Sequence, residues 1–390
     1  MNRTVVIVGL SFQGLALLQL FCDAGYDVQP LALPYELELK PLFASRYLKG
    51  KKVRVFSELD ELEQLLLEIQ NKSDKKLIVI LTSAGVVSTI PAAKPYLWDI
   101  YDVMAGPCSA IIKLSNKLYV YRHFYGHKYE GIKYCLVSDY CQQTNMRFPI
   151  ILKRNVELPH LYQYKYQEFY SSEELENFID KIPNDFKKDL ILQEKIDGEC
   201  EDLDMRGYAC KGQIIGYSIV KEIRSFPAGV PSYLEEVSDR ELLDKIDLKV
   251  SSLIREVKYT GFFGIDIKYD LVSGDLHILD INSRPPASVS SWLYKYSKED
   301  RLHFARNITS PSILPVGKII RWTNVIRDLK ARQESHNYSD LYKVVTASKD
   351  LKWPGDMAPY YLSYFYFLRN FFYRFLKITK IFSIEVVKCY

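Results

Sequence analysis

The 390-residue chain lacks the features that mark disulfide-rich, zinc-binding or membrane-spanning proteins. Its seven cysteines are odd in number and form no C-x-x-C pair, which argues against a disulfide framework and a structural zinc site. The sequence contains no run of about twenty apolar residues, so it predicts no membrane-spanning helix. The net charge of +4 is too small to indicate a nucleic-acid partner. With 48% hydrophobic and 26% charged residues, the composition is that of a globular protein in a reducing compartment.

The N-terminal stretch MNRTVVIVGLSFQGLALLQLFCDAGYDV is apolar but is interrupted by Gly9, Ser11, Gln13 and Gly14, which is not typical of a leader. We therefore expect a strand, a glycine turn, a helix and a second strand in a cytoplasmic protein. Another buried strand at 77–83 follows a helix, and this alternation predicts a parallel, doubly wound sheet. The glycine spacing is not G-x-G-x-x-G and no acid closes the second strand, so support for a nicotinamide dinucleotide site is weak.

The most informative stretch is GIDIKYDLVSGDLHILDINSRP, at 264–285. Apolar and polar residues alternate on both sides of a Ser-Gly-Asp turn, which predicts a β-hairpin. Residues two apart share one side of a strand, so Asp266, Asp280 and Asn282 are expected to converge. Clustered carboxylates repel one another, and hard oxygen ligands suit Mg²⁺. The hairpin predicts a divalent-cation site, with a solvated acidic face as the alternative.

Three other segments carry groups suited to a nucleotide. Lys153 ends the apolar strand FPIILK, where a lysine is costly unless its charge meets an anion. The strand LILQEKI ends in residues that can offer backbone groups to a purine edge and a carboxylate to ribose. These residues are Gln193, Glu194, Lys195 and Ile196. The hairpin that follows carries Lys221 and Arg224 near its end. With the acidic hairpin, these are the parts needed to hold Mg-ATP.

In this order the motifs resemble the ATP-grasp superfamily of carboxylate–amine ligases, over roughly residues 1–290. The most specific element is D-x-K-x-D followed by D-x-N-x-R in the hairpin. SRY, FPIILK and WPGDMAPY are similar to a group with D-aspartate ligases and carbamoyl-phosphate-synthase-like proteins. The resemblance implies α/β and α+β architecture: a Rossmann-like lead domain, an ATP-grasp fold and an amphipathic helical tail. The implied domains are 1–108 (lead), 109–190 (linker and first grasp subdomain), 191–310 (second grasp subdomain) and 311–390 (C-terminal extension).

The resemblance also implies how ATP is held. Lys153 would contact the α-phosphate, and Lys117 would reach the phosphates from the linker. Glu194 and Ile196, with their neighbours Gln193 and Lys195, would line the adenine and ribose pocket. These roles follow from the resemblance, as do those of the metal and substrate residues.

Asp266 and Asp280 would bind Mg²⁺ (or Mn²⁺), with Asp280 bridging two ions and Asn282 completing the shell. Arg284 would face the transferring phosphoryl group and the acyl intermediate. The candidates for holding the substrate carboxylate are Arg224 and Lys221.

Two features depart from the superfamily pattern. Both metal acids are Asp, where Glu is usual in at least one place. The segment after Lys153, RNVELPHLYQYKYQEF, has no glycine, although the superfamily's phosphate-covering loop is glycine-rich. We expect Lys165 to replace backbone amides as a phosphate partner, because an ammonium can meet the same charge.

Residues 360–390 combine many aromatic residues with five Lys or Arg and one Glu. On a helix, Arg369, Arg374, Lys377 and Lys380 fall in one sector, opposite aromatic and aliphatic side chains. This pattern predicts peripheral contact with the inner face of an anionic membrane. A helix that packs its aromatic face on the grasp domain is the alternative.

We therefore expect an ATP- and Mg²⁺-dependent carboxylate–amine ligase that forms an amide through an acyl phosphate. Its substrates would be a small-molecule carboxylate and amine, and a membrane-bound tail would favour a cell-envelope or polysaccharide precursor. The alternatives are a nucleotide-binding regulatory module with weak turnover and an NAD-dependent oxidoreductase. The sequence names neither substrate and gives no oligomeric state.

Overall fold

The computed structural model describes residues 3–126, 133–141, 145–196, 198–227, 229–349 and 352–366. The first strands are β1 (Thr4–Val8), β2 (Asp27–Ala32), β3 (Arg54–Val55), β4 (Ile78–Leu81) and β5 (Asp102–Val103). The helices between them are α1 (Phe12–Asp23), α2 (Leu59–Gln70), α3 (Ala84–Ala93) and α4 (Leu97–Ile100). These strands form one sheet in the order β3-β2-β1-β4-β5, and every pair is parallel. The alternation of strands and helices predicted this parallel pairing.

The turn between β1 and α1 needs both of its glycines. Gly9 has a φ of +105°, and a Cβ on Gly14 would lie 2.1 Å from the carbonyl oxygen of Gly9. The buried Glu36, in the turn after β2, accepts a hydrogen bond from the backbone N–H of Leu10 at 2.8 Å. A carboxylate therefore already lies against the glycine turn. The turn gives no support to a bound dinucleotide pyrophosphate, which would have to approach that carboxylate.

A small antiparallel sheet follows the first sheet. The elements of this part are β6 (Ala105–Gly106), α5 (Cys108–Leu114), α6 (Lys117–Tyr125), β7 (Tyr134–Leu136), β8 (Ile150–Arg154), β9 (Tyr166–Phe169), α7 (Ser172–Ile179), α8 (Asn184–Lys187) and β10 (Leu190–Glu194). The strand order is β7-β10-β8-β9, while β6 joins the third sheet by pairing with its strand at 260–270. In β8 the apolar residues are buried and Lys153 is half-buried, as the pattern of FPIILK predicted.

The largest sheet is built mainly from long antiparallel strands. Its elements are β11 (Cys200–Cys210), β12 (Gln213–Ser225), β13 (Pro231–Glu236), α9 (Arg240–Glu256), β14 (Thr260–Asp270), β15 (Leu276–Asn282), α10 (Val289–Tyr294), α11 (Lys298–Arg306), β16 (Arg321–Thr323), α12 (Val325–Ser335), α13 (Leu341–Thr346) and β17 (Ser348–Lys349). The strand order is β15-β14-β11-β12-β13-β16-β17, and β16-β17 is parallel. Helix α9 begins at the cap Asp239, and its buried residues recur at helical spacing, so it presents one apolar face to the core.

One apolar core connects the first and largest sheets. It runs without a break from Val6 and Val8 of β1 to Ile265 of β14 and Ile281 of β15. Since both sheets bury side chains in the same core, the position of the first sheet relative to the hairpin is fixed by packing.

The described chain ends in a helical stretch at 358–366. The remainder of the tail predicted as amphipathic, 367–390, lies outside the described residues. Within the described ranges, no helix combines the length and apolar character needed to cross a membrane.

Candidate active site

The predicted hairpin is formed by β14 and β15, and its acids are neighbours. Asp266 lies directly opposite Asp280, and Gly264 lies opposite Asn282. The register shifts between Asp266 and Ile267, because β15 has an extra residue, Leu279, between their partners Asp280 and Ile278. Such a bulge re-aims side chains and is common beside functional sites. The bulge leaves the apolar residues on both sides of it in the core, while Asp280 stays on the face of Asp266.

A third acid, Asp204, extends this row onto β11, where it lies opposite Asp266. Its carboxylate is held by the guanidinium of Arg206, which is fully buried and also donates to Ser288 Oγ. Sequence reasoning missed both residues. The alternation Asp202, Asp204, Arg206 in the strand D-L-D-M-R could have indicated them, because it has the same period of two as the hairpin.

Lys117 joins the linker to the hairpin. It is the first residue of α6, whose N-terminus is capped by the side chain of Asn116 accepting from the Tyr119 N–H at 2.9 Å. Its Nζ lies 2.6 Å from Asp280 Oδ1. Burial alone would raise the pKa of Asp280, but the ammonium groups of Lys117 and Lys153 lower it. Asp280 is therefore an ionised carboxylate whose charge is met by a lysine.

Lys153 reaches the same region from the small sheet. Its Nζ donates to Gln193 Oε1 at 3.2 Å, and that oxygen also accepts from the Tyr121 hydroxyl at 2.8 Å. Burial, with repulsion by Lys117, lowers the pKa of Lys153 to about 8. Among the residues that the structure describes, no carboxylate is hydrogen-bonded to this half-buried lysine, which favours contact with an anion.

The carboxylates of Asp204, Asp266 and Asp280 repel one another, and added positive charge would offset this repulsion. The Asp266 side chain is exposed, yet desolvation by the surrounding protein, with the charges of Asp204 and Asp280, raises its pKa to about 7. Burial lowers the pKa of Arg284, against the opposing effect of Asp280 and Asp266. The Nη2 of Arg284 lies 3.5 Å from Asn282 Oδ1, which keeps the guanidinium beside the predicted ligands.

A narrow cavity lies where the hairpin meets the first sheet. The start of α3, which follows β4, supplies Ala84 and Ser88, and the hairpin supplies Asp280 and Arg284. Glu157, from the segment after Lys153, also lines it. In sheets with parallel strands, ligands bind beyond the carboxyl ends of the strands. The cavity joins that edge to the predicted cation ligands.

The other residues predicted to hold the nucleotide lie at the end of β10. Glu194 is buried and accepts from the Arg147 N–H at 2.7 Å. The Nζ of Lys195 lies 2.9 Å from Glu168 Oε2, and Ile196 packs against the core as a half-buried residue. The structure therefore places Gln193 of QEKI against Lys153, while the charged side chains of Glu194 and Lys195 are already paired with Arg147 and Glu168.

Lys221 and Arg224 are not brought to the acid row. Lys221 lies opposite Leu203, one residue from Asp204, so alternation places it on the other face of the sheet, where it pairs with Glu201. Their predicted contact with a substrate carboxylate stays a prediction.

Arg224 is instead held by the C-terminal part of the chain. Its Nε donates to Asp328 Oδ1 at 2.6 Å, and its Nη1 lies 3.1 Å from Asp340 Oδ2. Asp328 and Asp340 both also pair with Arg332, so two guanidinium groups meet two carboxylates. The charge that would attract a substrate carboxylate is already balanced.

The glycine-free segment forms a 3-10 helix, Pro159–Tyr164, and Leu161 is fully buried in the core of the small sheet. Lys165 follows this helix and is exposed. A packed helical turn leaves less freedom than a glycine loop to close over phosphates.

The donor set fits Mg²⁺ together with phosphate oxygens. Asp266 and Asp280 offer carboxylate oxygens and Asn282 an amide oxygen, which are the hard ligands that Mg²⁺ takes. Within the described part of the chain, no three His, Cys, Asp or Glu side chains form a group that could hold an ion. A protein cage is therefore not indicated, and the remaining ligands would come from phosphate and water, as is usual for Mg²⁺.

The parallel sheet, the small antiparallel sheet and the large sheet with its acidic hairpin form a mixed α/β fold that matches the fold of ATP-grasp enzymes. The D-aspartate ligase of Enterococcus faecium (strain Aus0004) is 22% identical to the chain over 271 residues, covering 62% of this chain and 63% of the ligase. The alignment thus spans less than two thirds of that protein. No protein-family model matches the chain.

Solved structures agree on the fold. PurK, an N5-carboxyaminoimidazole ribonucleotide synthetase solved with ADP, has a TM-score of 0.62 and 15% identity, covering 84% of this chain and 85% of PurK. L-amino acid ligase from Bacillus licheniformis has a TM-score of 0.57 and 12% identity, covering 80% of this chain and 75% of the ligase. The resemblance to ATP-grasp carboxylate–amine ligases is thereby confirmed at the level of the fold.

Proposed function

We propose that the protein is an ATP- and Mg²⁺-dependent carboxylate–amine ligase that releases ADP. The observation that carries this proposal is the pairing of Asp266 with Asp280 across the hairpin, met by Lys117 and flanked by Lys153 and Arg284. Anionic ligands for a cation and cationic ligands for phosphates lie together at the narrow cavity beside the hairpin. That combination suits a metal-bound triphosphate better than either ligand alone.

The side chains would act mainly by charge. On nucleotide binding, Lys117 would leave Asp280 for a phosphate, and Lys153 would meet a second phosphate. Mg²⁺, when bound by Asp266 and Asp280, offsets the charge of the phosphates and of the transferring group. Arg284 would stabilise oxyanionic charge in the transition state, a contribution typically worth about 3 kcal/mol.

The proposed reaction has two steps. A substrate carboxylate attacks the γ-phosphorus of ATP. The bond between this phosphorus and the oxygen that bridges it to the β-phosphorus breaks, and ADP leaves. An amine then attacks the acyl carbon, phosphate leaves, and the amine loses a proton as the amide forms. The D-aspartate ligase and L-amino acid ligase likenesses support an amino acid as one substrate, and a cell-envelope precursor as the other follows from the tail prediction.

We further propose the domain division 1–108, 109–190, 191–310 and 311–390. The parallel sheet supports a Rossmann-like lead domain, and the two antiparallel sheets support the two grasp subdomains. The amphipathic tail and its membrane contact remain predictions about residues of which most lie outside the described ranges.

The test is ADP release measured with ATP and Mg²⁺ across pairs of carboxylates and amines, beginning with D- and L-amino acids. Release that requires both substrates, and an acyl hydroxamate when hydroxylamine replaces the amine, would support the ligase and its acyl phosphate. Arg284→Lys should lower kcat by at least about tenfold with little change in nucleotide affinity.

The second candidate is a nucleotide-binding regulatory module with weak turnover. It is favoured by one observation: the segment that should cover the phosphates is a 3-10 helix anchored by the buried Leu161. Nucleotide binding without substrate-dependent ADP release would support this candidate over the ligase. No nucleotide binding would contradict both.

A further inference from the structure

The narrow cavity beside the hairpin has a wall that the proposed nucleotide contacts leave unused. This wall is the N-terminal part of α3, where Ala84, Val87 and Ser88 line the cavity. The hairpin side adds Ser283, which directly follows the predicted ligand Asn282. The cavity measures about 30 Å³, which is room for roughly two water-sized groups. It therefore admits a group with two oxygen atoms, such as a carboxylate, but not a whole substrate.

The start of α3 offers hydrogen-bond donors to an anion. An α-helix leaves the N–H groups of its first turn without intrahelical acceptors, and its dipole favours negative charge there. The cap residue of α3, Ser83, makes no side-chain capping hydrogen bond, and the first turn contains no acidic residue. In the described part of the chain, no side chain therefore takes the place that an anion would occupy at this helix end.

A buried hydroxyl group in the same cavity also lacks a partner. Ser283 is 3% exposed, and among the described residues its Oγ forms no hydrogen bond. An unsatisfied polar group in a buried position is unfavourable, and a bound acceptor would correct this. The Ser88 hydroxyl, by contrast, already donates to the Gly85 carbonyl at 3.0 Å. Ser283 can therefore donate a hydrogen bond to a ligand in the cavity.

The charges that line the cavity favour an added anion. Its two acids are already paired, Asp280 with Lys117 at 2.6 Å and Glu157 with Arg154 at 3.0 Å. Arg284 also lines the cavity, and among the described residues its guanidinium donates only to neutral oxygens. An anion in the cavity would therefore lie in the field of a guanidinium whose charge no described carboxylate pairs.

We propose that this cavity binds a second, non-reacting carboxylate of the acyl substrate, so that the substrate is a dicarboxylic acid. The proposal rests on the proposed ligase function. Donors that hold a carboxylate stabilise a negative charge that is lost when this carboxylate attacks phosphorus, so they would slow its reaction. A non-reacting carboxylate keeps its charge throughout, and binding it orients the substrate. Ser283 and the N–H groups at the start of α3 hold it, which leaves Arg284 to the transferring phosphoryl group.

The experiment compares the binding of dicarboxylates with that of their half-amides, which are of nearly the same size. D- and L-aspartate and D- and L-glutamate are titrated into the full chain by calorimetry, beside the matching asparagine and glutamine. Each titration is made with and without Mg²⁺ and a non-hydrolysable ATP analogue. The wild type should bind at least one dicarboxylate about tenfold or more tightly than its half-amide, because hydrogen bonds to a charged group are the stronger ones.

Two variants remove the proposed contacts while sparing the fold. Ser283→Ala deletes a hydroxyl that has no partner among the described residues, so thermal unfolding should not change. Gly85→Asp adds a carboxylate to the first turn of α3, where a Cβ meets nothing within 4 Å and a negative charge stabilises the helix. Each variant should reduce the preference for the dicarboxylate by about tenfold.

The matched controls should keep that preference. Gly85→Asn has the size of the aspartate variant without its charge. Ser232→Ala removes another buried hydroxyl that has no partner among the described residues, on β13.

A preference that is absent from the wild type, or that survives both Ser283→Ala and Gly85→Asp, would overturn the carboxylate site. The ligase function depends on a separate result, the release of ADP. ADP release without the preference would support the ligase and contradict the carboxylate site. The preference without ADP release would support the site and contradict the ligase.

Discussion

The ion pair between Lys117 and Asp280 compensates the charge of Asp280 before any nucleotide binds. Lys117 comes from α6 and Asp280 from β15, so the pair also fixes the helix against the hairpin. A divalent cation at Asp280 would displace the ammonium toward the phosphates. Exchange of one cation for another costs less than desolvating a bare carboxylate, because Asp280 is never left uncompensated.

Lys153 provides a pH-dependent prediction. Its pKa of about 8 leaves it partly neutral at pH 8, and contact with a phosphate would raise that pKa. Binding of an ATP analogue should therefore take up about 0.5 proton more in the wild type than in Lys153→Arg at pH 8, and this difference should almost vanish at pH 6.5. Calorimetry in buffers of different ionisation enthalpy measures this uptake. Lys153→Arg, which keeps the charge and does not titrate, is the control, and equal uptake by both proteins would show that another group is responsible.

Asp266 provides a second pH-dependent prediction, which concerns the stability of the fold. Its folded pKa of about 7 lies above the ordinary value of 3.8, so its contribution to stability is full at low pH and is lost as the pH rises toward and through 7. In metal-free buffer, Asp266→Asn should raise the free energy of unfolding by about 1–2 kcal/mol at pH 8, discounted because the carboxylate is open to solvent. It should change little at pH 4. Thermal unfolding at both pH values checks this, and destabilisation at pH 8 would contradict the assigned repulsion.

At the scale of secondary structure elements, α12 is joined to the end of β12 by the ion pair between Asp328 and Arg224. Arg332 and Asp328 of α12 are completely buried and pair with each other at 2.7 Å. Removing one partner of a buried pair leaves an uncompensated charge. Asp328→Ala should therefore lower the free energy of unfolding by about 3 kcal/mol, and the exposed Glu334→Ala on the same helix should be neutral.

The same variants test Arg224. If it serves only as the partner of Asp328 and Asp340, nucleotide affinity should be unchanged in folded Asp328→Ala. A change in the KM for a carboxylate substrate would instead restore the predicted substrate contact.

Regular periodicity made some elements predictable and its absence hid others. The hairpin of β14 and β15 follows a period of two, and the face shared by its acids was expected. The strands β13 and β16 were not predicted, since β16 has three residues and neither carries a clear alternation. The pairing of Lys117 with Asp280, 163 positions apart, leaves no local signal in a single sequence.

At the scale of the whole molecule, the C-terminal segment folds back on the first sheet. The buried Asp356 accepts hydrogen bonds from Gln19 Nε2 at 2.7 Å, from the Arg46 N–H at 3.0 Å and from Ser45 Oγ. The Trp353 indole donates to Asp23 Oδ2 at 3.0 Å. The SRY and WPGD motifs that the sequence singled out are therefore partners in one contact, although they lie some 310 positions apart.

Asp356→Ala should open this contact. It removes three hydrogen bonds to a carboxylate, each worth about 1.5–3 kcal/mol after solvent exchange. Limited proteolysis should then cleave the chain near residue 350 faster than in the wild type. The control is Asp74→Ala, which changes an exposed acid between α2 and β4 and should leave the rate unchanged. Equal cleavage would mean that apolar packing alone holds the segment.

We expect the hairpin to bind a metal-bound nucleotide through Asp280. Calorimetric titration with a non-hydrolysable ATP analogue, with and without Mg²⁺, tests it on the wild type, Asp280→Asn and Asp275→Asn, the last an exposed acid at the turn of the same hairpin. Binding should depend on Mg²⁺ in the wild type and in Asp275→Asn, and it should be at least about tenfold weaker in Asp280→Asn. Binding that is indifferent to Mg²⁺, or equally tight in Asp280→Asn, would contradict it.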